Sequence, residues 1–201
     1  MECHTGEGSQ ARRGSYTHGA IWAVMAFAAL GERSRAWELL AMINPVNHAD
    51  SPEKIATYKV EPYVVAADVY AVSPHVGRGG WTWYTGSAGW MYTLILESLL
   101  GLRLERDTLR FAPCLPVDWE SFKVHYRYRE TVYHITVFQP GDGGATGVTV
   151  DGVEQPDDPI PLLDDHQEHS VEIRMPVFDK EKGIKTLMGK SVSHRDTEAQ
   201  S

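Results

Sequence analysis

The sequence predicts an α+β protein whose first half is helical and whose second half is made of strands. Through about residue 104, apolar residues recur at the spacing of amphipathic helices. Beyond it they alternate with polar residues, and turn signals divide the chain into short pieces, which favours an antiparallel β-sandwich. Residues 1–104 and 105–176 are therefore expected to form separate domains. The Lys-, Glu- and Ser-rich stretch 177–201 is expected to be a flexible tail.

Four helices are expected in the first half. Their predicted ranges are 16–30, 34–43, 62–70 and 86–100, with a loop over 46–60. Gly31 and Gly101 follow helices at the position where glycine ends them, Ser34 is a capping residue, and Pro62 suits a first helical turn. The first and fourth helices are apolar around most of their circumference. Such helices need neighbours on several sides, so this half is expected to be part of a larger assembly.

Strands are expected wherever apolar and polar residues alternate in the second half. The predicted strands cover residues 122–128, 133–137, 148–150 and 170–175. Asp151-Gly152 is a hairpin signal, and the Gly-Asp-Gly-Gly string at 141–144 marks another turn.

Composition excludes several classes of function. The net charge of −8 and the pI near 5.6 argue against nucleic-acid binding, which depends on neutralising phosphates. The apolar run over 20–30 is too short for a bilayer, so no membrane span is expected. Cys3 and Cys114 form no disulfide framework, and no signal peptide is expected, which together favour a cytoplasmic location. Cys3-His4 lacks a second pair at ligand spacing, so no metal site is expected.

The segment 77–90 carries the clearest functional signal. It contains three Trp, one Tyr and five Gly within fourteen residues and leads into a predicted helix. Glycines allow close backbone approach, aromatic faces suit sugar rings, and a helix N-terminus suits an anion. Sugar and phosphate are the ligands that such a segment could hold together. The alternative is a tight turn whose aromatic side chains pack into a core.

Four ordered motifs resemble one enzyme family. They are Tyr-Thr-His-Gly-Ala-Ile-Trp at 16–22, Tyr-Lys-Val-Glu-Pro-Tyr-Val at 58–64, the segment 77–90, and Arg-Phe-Ala-Pro-Cys-Leu-Pro at 110–116. Together they resemble the C-terminal end of the inverting glycoside phosphorylases of glycoside hydrolase family 94. The strings at 58–64 and 79–90 are most similar to the phosphorylase-like C-terminal region of cyclic β-1,2-glucan synthases. The resemblance implies the last hairpins of an (α/α)6 barrel, followed by a small β-sandwich.

The resemblance also implies roles for individual residues. His18, Thr85 and Gly86 match the positions that hold phosphate in the family, and Glu61, Trp81, Trp83 and Tyr84 are candidates for binding sugar. Inorganic phosphate would be a co-substrate, and no other cofactor is expected. The catalytic aspartate of the family lies upstream, and neither Asp50 nor Asp68 matches its motif. The isolated chain is therefore expected to be inactive.

Each candidate has an alternative interpretation. His18 could be a hydrogen-bonded helix histidine, the aromatic residues could pack into a core, and Glu61 could complement a helix dipole. In disaccharide phosphorylases a glutamine that follows the position of Glu61 contacts the sugar. This sequence has Ala66 and Ala67 in that neighbourhood, so recognition of the acceptor sugar must differ, which favours β-1,2-glucan over cellobiose as the substrate.

The sequence is compatible with three functions. The chain could be a phosphorylase fragment that uses β-glucan and phosphate, completed by an upstream barrel segment or by another copy. It could instead be a carbohydrate-binding module without catalysis. It could also be an orphan fragment whose exposed apolar face causes association.

Overall fold

A computed structural model describes residues 15–83, 85–116, 118–139, 146–156 and 159–175. These residues form two compact units that divide between Leu99 and Leu100. The first unit is helical and the second consists of strands, which confirms the α+β class. Among the helices of these ranges, none combines the length and hydropathy that a bilayer span requires. The expected turn at 141–144 and the expected tail lie outside the described residues.

Three of the four predicted helices are confirmed. The observed helices are α1 (Thr17–Ala29), α2 (Arg33–Ile43), α3 (Pro52–Tyr58) and α4 (Thr85–Thr93), with a 3₁₀ turn at Pro45–His48 and a π-helical continuation of α4 at Leu94–Leu99. Gly31 and Gly101 adopt positive φ angles of 74° and 73°, as helix-ending glycines do. Ser34 is not the cap of α2, because the helix already begins at Arg33.

The predicted helix over 62–70 is wrong, and so is the predicted loop over 46–60. The third helix lies at 52–58, where Pro52 occupies the first turn and the Ser51 hydroxyl accepts a hydrogen bond from the Lys54 N–H at 3.4 Å. Residues 62–70 cannot form a helix because their backbone groups bond to other segments. The Tyr70 N–H, for example, donates to the Arg78 carbonyl at 2.9 Å.

The helical unit has a small core and an exposed apolar surface. Buried residues from three helices and the π-helical segment form the core: Ile21, Val24, Ala36, Leu40, Met91, Leu94 and Leu99. Trp22 on α1, Leu30 directly after α1, and Tyr92 on α4 are exposed. Only part of the apolar surface of these helices is therefore buried within the described residues.

The second unit contains two sheets. Their strands are β3 (Leu102–Glu105), β4 (Thr108–Phe111), β5 (Ser121–Tyr128), β6 (Thr131–Phe138), β7 (Gly147–Val150), β8 (Val153–Gln155), β9 (Ile160–Pro161) and β10 (Glu168–Arg174). The five-stranded sheet has the order β5-β6-β10-β7-β8 and the three-stranded sheet has the order β3-β4-β9. A further pair, β1 (Ser15–Tyr16) and β2 (Asp68–Val69), belongs to the helical unit.

The sheets confirm the predicted strands but are not wholly antiparallel. β6 and β10 pair in parallel, with Val132 opposite Glu168 and Phe138 opposite Arg174. A long connection joins these two strands, so no hairpin forces them to run in opposite directions. Both sheets contribute to one buried cluster, which comprises Leu109, Tyr133, Ile135, Val137, Val148, Ile160, Leu162, Val171 and Ile173.

A polar network closes one end of this cluster. The Thr131 hydroxyl accepts hydrogen bonds from the N–H groups of Asp165 and His166, both at 2.9 Å. The Tyr133 hydroxyl accepts from the Leu163 N–H at 2.7 Å. These buried side chains fix the 163–166 loop against β6, because leaving a buried polar group unpaired is costly.

His169 lies between two carboxylates of the same network. Its Nδ1 is 2.7 Å from Asp151 and its Nε2 is 3.2 Å from Asp165. Only an imidazolium can donate from both nitrogens at once. The hydrogen bond to Asp151 raises the pKa of His169; burial opposes this, and Asp165 raises the pKa further. The same hydrogen bond lowers the pKa of Asp151.

This arrangement predicts pH-dependent stability. The raised pKa of His169 contributes stability that is complete below the ordinary histidine pKa and lost as the pH rises through the folded value. The lowered pKa of Asp151 contributes stability that is lost as the pH falls through its folded value. The contribution is therefore largest between about pH 4 and about pH 6.5.

We expect His169→Ala to destabilise the chain by about 1–2 kcal/mol near pH 5.5 and by less at about pH 8.5, where the hydrogen bond to Asp165 is already weakened. Thermal unfolding of the full chain at both pH values measures this difference. The exposed His75 provides a matched control as His75→Ala. An equal destabilisation at the two pH values would contradict the charged state of His169.

Candidate functional site

Ala67 connects the start of α1 to residues 77–83, the aromatic segment, which carries Trp81 and Trp83. The Ala67 carbonyl accepts from the Thr17 N–H at 2.9 Å, and the Ala67 N–H donates to the Trp81 carbonyl at 2.7 Å. Hydrogen-bonded backbones lie about 4.8 Å apart. The first turn of α1 and the aromatic segment are therefore neighbours on either side of the chain at Ala67.

His18 is the second residue of α1 and is surrounded by aromatic rings. Its ring centroid is 4.6 Å from that of Trp22 in an edge-on arrangement, 5.7 Å from that of Trp90 and 6.0 Å from that of Tyr16. Its Nε2 atom is buried and has no hydrogen-bond partner among the described residues. An unpaired buried polar atom costs about 1–3 kcal/mol. Among the described residues, no group therefore supports the alternative of a hydrogen-bonded helix histidine at Nε2.

The first two residues of α4 have few neighbours among the described residues. Thr85 and Gly86 are exposed, and a Cβ added at Gly86 would have no atom within 4 Å among the described residues. Glycine is less favourable than alanine in a helix by up to about 1 kcal/mol, so packing against described residues does not account for Gly86. One residue further, the buried Ser87 hydroxyl also has no partner there.

Trp90 links His18 to α4. Its ring contacts the rings of both His18 and Trp22, the latter at 5.7 Å. At 1.5 Å rise per residue, Thr85 lies about 7.5 Å from Trp90 along the helix. The described contact thus brings His18 to the second turn of α4, beside the turn that carries Thr85 and Gly86.

The aromatic segment is anchored by its backbone and exposes its indoles. Trp81 and Trp83 are 73% and 68% exposed, so core packing does not explain either side chain. Trp83 has a φ of 61°, a left-handed conformation that a bulky residue adopts at a cost of roughly 1–3 kcal/mol. Tyr84 lies outside the described residues.

Asp68 lies beneath this segment and was not predicted. Burial raises the pKa of its carboxyl, and a hydrogen bond from the Trp81 N–H opposes that rise. Gly80 lies against the same carboxylate, and a Cβ added there would overlap Asp68 Oδ1. The requirement for glycine at position 80 could be recognised only once Asp68 was placed.

Glu61 does not lie at the N-terminus of a described helix. It is partly buried in the loop after α3, and its carbonyl accepts from the Val64 N–H at 3.1 Å. Since no helix begins at Pro62, the interpretation of Glu61 as an acid at a helix N-terminus is wrong. Asp50, by contrast, is exposed and ion-paired with Lys54 at 2.8 Å.

The two units match two family models. Residues 4–101 match the catalytic domain of the glycosyl hydrolase 94 superfamily. Residues 4–101 belong to that superfamily. Residues 102–171 match the C-terminal domain of glycosyl hydrolase family 65. The two matches meet close to the structural division between Leu99 and Leu100, and the resemblance inferred from the four motifs is confirmed.

Similar proteins are enzymes of oligosaccharide and glucan metabolism by name. The chain is 46% identical over 137 residues to the cyclic beta-(1,2)-glucan synthase NdvB of Rhizobium meliloti, covering 68% of this chain and 5% of that protein. It is 29% identical over 163 residues to solabiose phosphorylase of Paenibacillus borealis, covering 80% and 21%. It is 28% identical over 155 residues to 1,2-beta-oligoglucan phosphorylase of Listeria innocua, covering 70% and 14%. The chain thus spans a small part of each of these relatives.

Gly80→Ala is expected to destabilise the aromatic segment of this chain. The new methyl group displaces the Asp68 carboxylate and weakens its bond to Trp81, so the free energy of unfolding should fall by about 1–3 kcal/mol. Thermal unfolding measures the loss. Gly89→Ala is the matched control, because no atom of the described residues lies within 4 Å of its added Cβ and it should not destabilise. Equal melting temperatures for Gly80→Ala and the native chain would contradict this packing.

Proposed function

We propose that this chain is the C-terminal part of an inverting phosphorylase that cleaves β-1,2-linked glucan with inorganic phosphate and yields glucose 1-phosphate. The observation that carries the proposal is the unpaired Nε2 of His18, in aromatic contact with the helix that begins at Thr85. Family membership and the names of NdvB and the 1,2-beta-oligoglucan phosphorylase support the same class of reaction.

The chemistry explains why phosphate needs these groups. An inverting cleavage uses one carboxylic acid to protonate the leaving oxygen while the nucleophile attacks from the opposite face. Phosphate is already anionic, so it needs donors rather than a base. His18 supplies an imidazole, Thr85 a hydroxyl, and the α4 N-terminus supplies free N–H groups and the positive end of a helix dipole.

Access to His18 requires a small movement. Because its Nε2 is buried, a phosphate can reach that atom only if a neighbouring group moves aside. Trp22 and Trp90 contact the His18 ring and are both partly exposed, so we expect one of these indoles to be the group that moves. Phosphate entry would then be accompanied by rearrangement of an indole, which a fluorescence measurement can follow.

The aromatic segment suits the sugar. Trp81 and Trp83 present two exposed indole faces, on which pyranose rings can pack. Their backbone connection through Ala67 to α1 brings this surface towards His18. Glu61 and Tyr84 remain candidates for binding sugar hydroxyls. Ala66 and Ala67 lack the reach of a glutamine, which supports a β-1,2-glucan substrate.

We further propose that the helices are the last hairpins of an (α/α)6 barrel and that the two sheets are the sandwich that follows it. The exposed apolar residues of α1 and α4 support this view, since further barrel helices, from upstream polypeptide or another copy, would cover them. The family's general acid would come from that polypeptide, so the chain alone would bind ligands without turning them over.

A second candidate is a carbohydrate-binding module without phosphorolysis. The exposure of Trp81 and Trp83 favours it, because exposed indoles alone can bind glucan. The two candidates differ in whether phosphate matters.

We expect His18→Ala and Thr85→Val each to weaken phosphate binding by about tenfold or more, since each removes a hydrogen bond to an anion. Phosphorus NMR titration of the full chain measures the dissociation constant. His75→Ala, at an exposed histidine elsewhere in the unit, is the control. Unchanged binding in both site variants would remove the basis for the phosphate site.

Calorimetry with β-1,2-glucooligosaccharides separates the candidates. The phosphorylase fragment should bind glucan with an affinity that changes on adding phosphate, because the two ligands occupy adjoining positions. A binding module should give the same affinity in both buffers. Release of glucose 1-phosphate by the purified chain would show that it contains its own general acid, contrary to the proposal.

A further inference from the structure

The outer face of the five-stranded sheet carries a pair of facing histidines. His125 on β5 and His134 on β6 are directly opposite in the antiparallel register. Their Nδ1 atoms are 2.7 Å apart, and the rings are nearly perpendicular at 79°. The His134 side chain is 41% exposed and His125 is exposed as well, so the pair is open to solvent.

Glu168 orients one of the two rings. Its carboxylate lies 3.1 Å from Nε2 of His134 and accepts a hydrogen bond from that nitrogen. In neutral His134 the proton therefore resides on Nε2, and Nδ1 keeps its lone pair facing His125. A carboxylate behind a histidine whose other nitrogen faces a second imidazole is the arrangement that supports metal ligands in proteins.

We propose that His125 and His134 form a chelating site for a divalent transition-metal ion through their Nδ1 atoms, with Glu168 as the positioning residue. Imidazole suits the later first-row metals, and opposite positions on adjacent strands hold the two ligands in place. The site lies in the second unit and is independent of the proposed phosphorylase function.

The distance between the nitrogens favours nickel and copper over zinc. Two nitrogens bound at about 2.0 Å with a 90° angle are about 2.8 Å apart, whereas a tetrahedral angle places them about 3.3 Å apart. The observed 2.7 Å is close to the first value. Each lone pair must turn by about 45° from the line joining the nitrogens, which the broad χ2 range of histidine allows.

The charges around the pair moderate its affinity. On the same face, Lys123 and Arg127 flank His125 along β5, while Glu168 and Glu172 lie on β10. Within the described ranges no group of three or more His, Cys, Asp or Glu could hold a metal ion, so water completes the coordination. We therefore expect a weaker site than a three- or four-ligand centre.

Metal binding would displace the proton shared by the two Nδ1 atoms. Metal and protons compete for the same nitrogen lone pairs, so metal affinity should fall as the proton concentration rises. An ion held by both strands would also link β5 to β6 in the folded state alone. Binding should then raise the melting temperature as the metal concentration increases.

Calorimetric titration of the untagged full chain with NiCl₂ tests the site, with ZnCl₂ as the comparison. We expect one equivalent of Ni²⁺ to bind more tightly than Zn²⁺. His125→Gln and His134→Gln should each weaken Ni²⁺ binding by about tenfold or more, and Glu168→Gln should weaken it by about 10–100-fold. The melting temperature should rise with Ni²⁺ in the native chain and not in the two histidine variants.

Two controls make the result decisive. His75→Gln removes another exposed histidine and should leave Ni²⁺ binding unchanged. A Cys3→Ser/His4→Gln chain tests the neighbouring cysteine and histidine near the start of the sequence. Ni²⁺ binding that survives loss of His125 or His134, or that disappears in the Cys3→Ser/His4→Gln chain, overturns the proposal. Equal Ni²⁺ affinity for Glu168→Gln and the native chain overturns the positioning role.

Discussion

The helical unit depends on the two backbone hydrogen bonds of Ala67. They hold the first turn of α1 on one side and the aromatic segment on the other. A side chain is not needed for this connection, and a buried alanine lets the three chain segments approach closely. Because His18 follows Thr17 in the sequence, these two bonds place His18 and Trp81 on neighbouring chain segments.

The two units differ in whether their buried polar groups have hydrogen-bond partners among the described residues. In the second unit, Thr131, Tyr133 and His169 all have partners, which fixes a loop against the sheet. In the first unit, His18 Nε2 and Ser87 Oγ are buried without partners among the described residues. Stable structure normally satisfies such atoms, so their presence near the N-terminus of α4 supports a binding role.

Much of the fold could be predicted because local signals and tertiary structure agree. The helical spacing of α1 and the alternation in β5 and β6 survive in the structure, since each pattern matches a buried face. Pro52 and Pro62 carry the same local signal for a first helical turn, and only Pro52 begins a helix. The difference arises because residues after Pro62 bond to segments distant in sequence.

The sequence by itself determined the fold class and the family, since ordered motifs and periodicity are local properties, and the family resemblance predicts which residues bind phosphate and sugar. Tertiary structure alone decided that Trp90 contacts His18, that Asp68 requires glycine at position 80, and that β6 runs parallel to β10. It also brought His125 against His134. These facts depend on strand register and helix packing, which join residues that no local pattern relates.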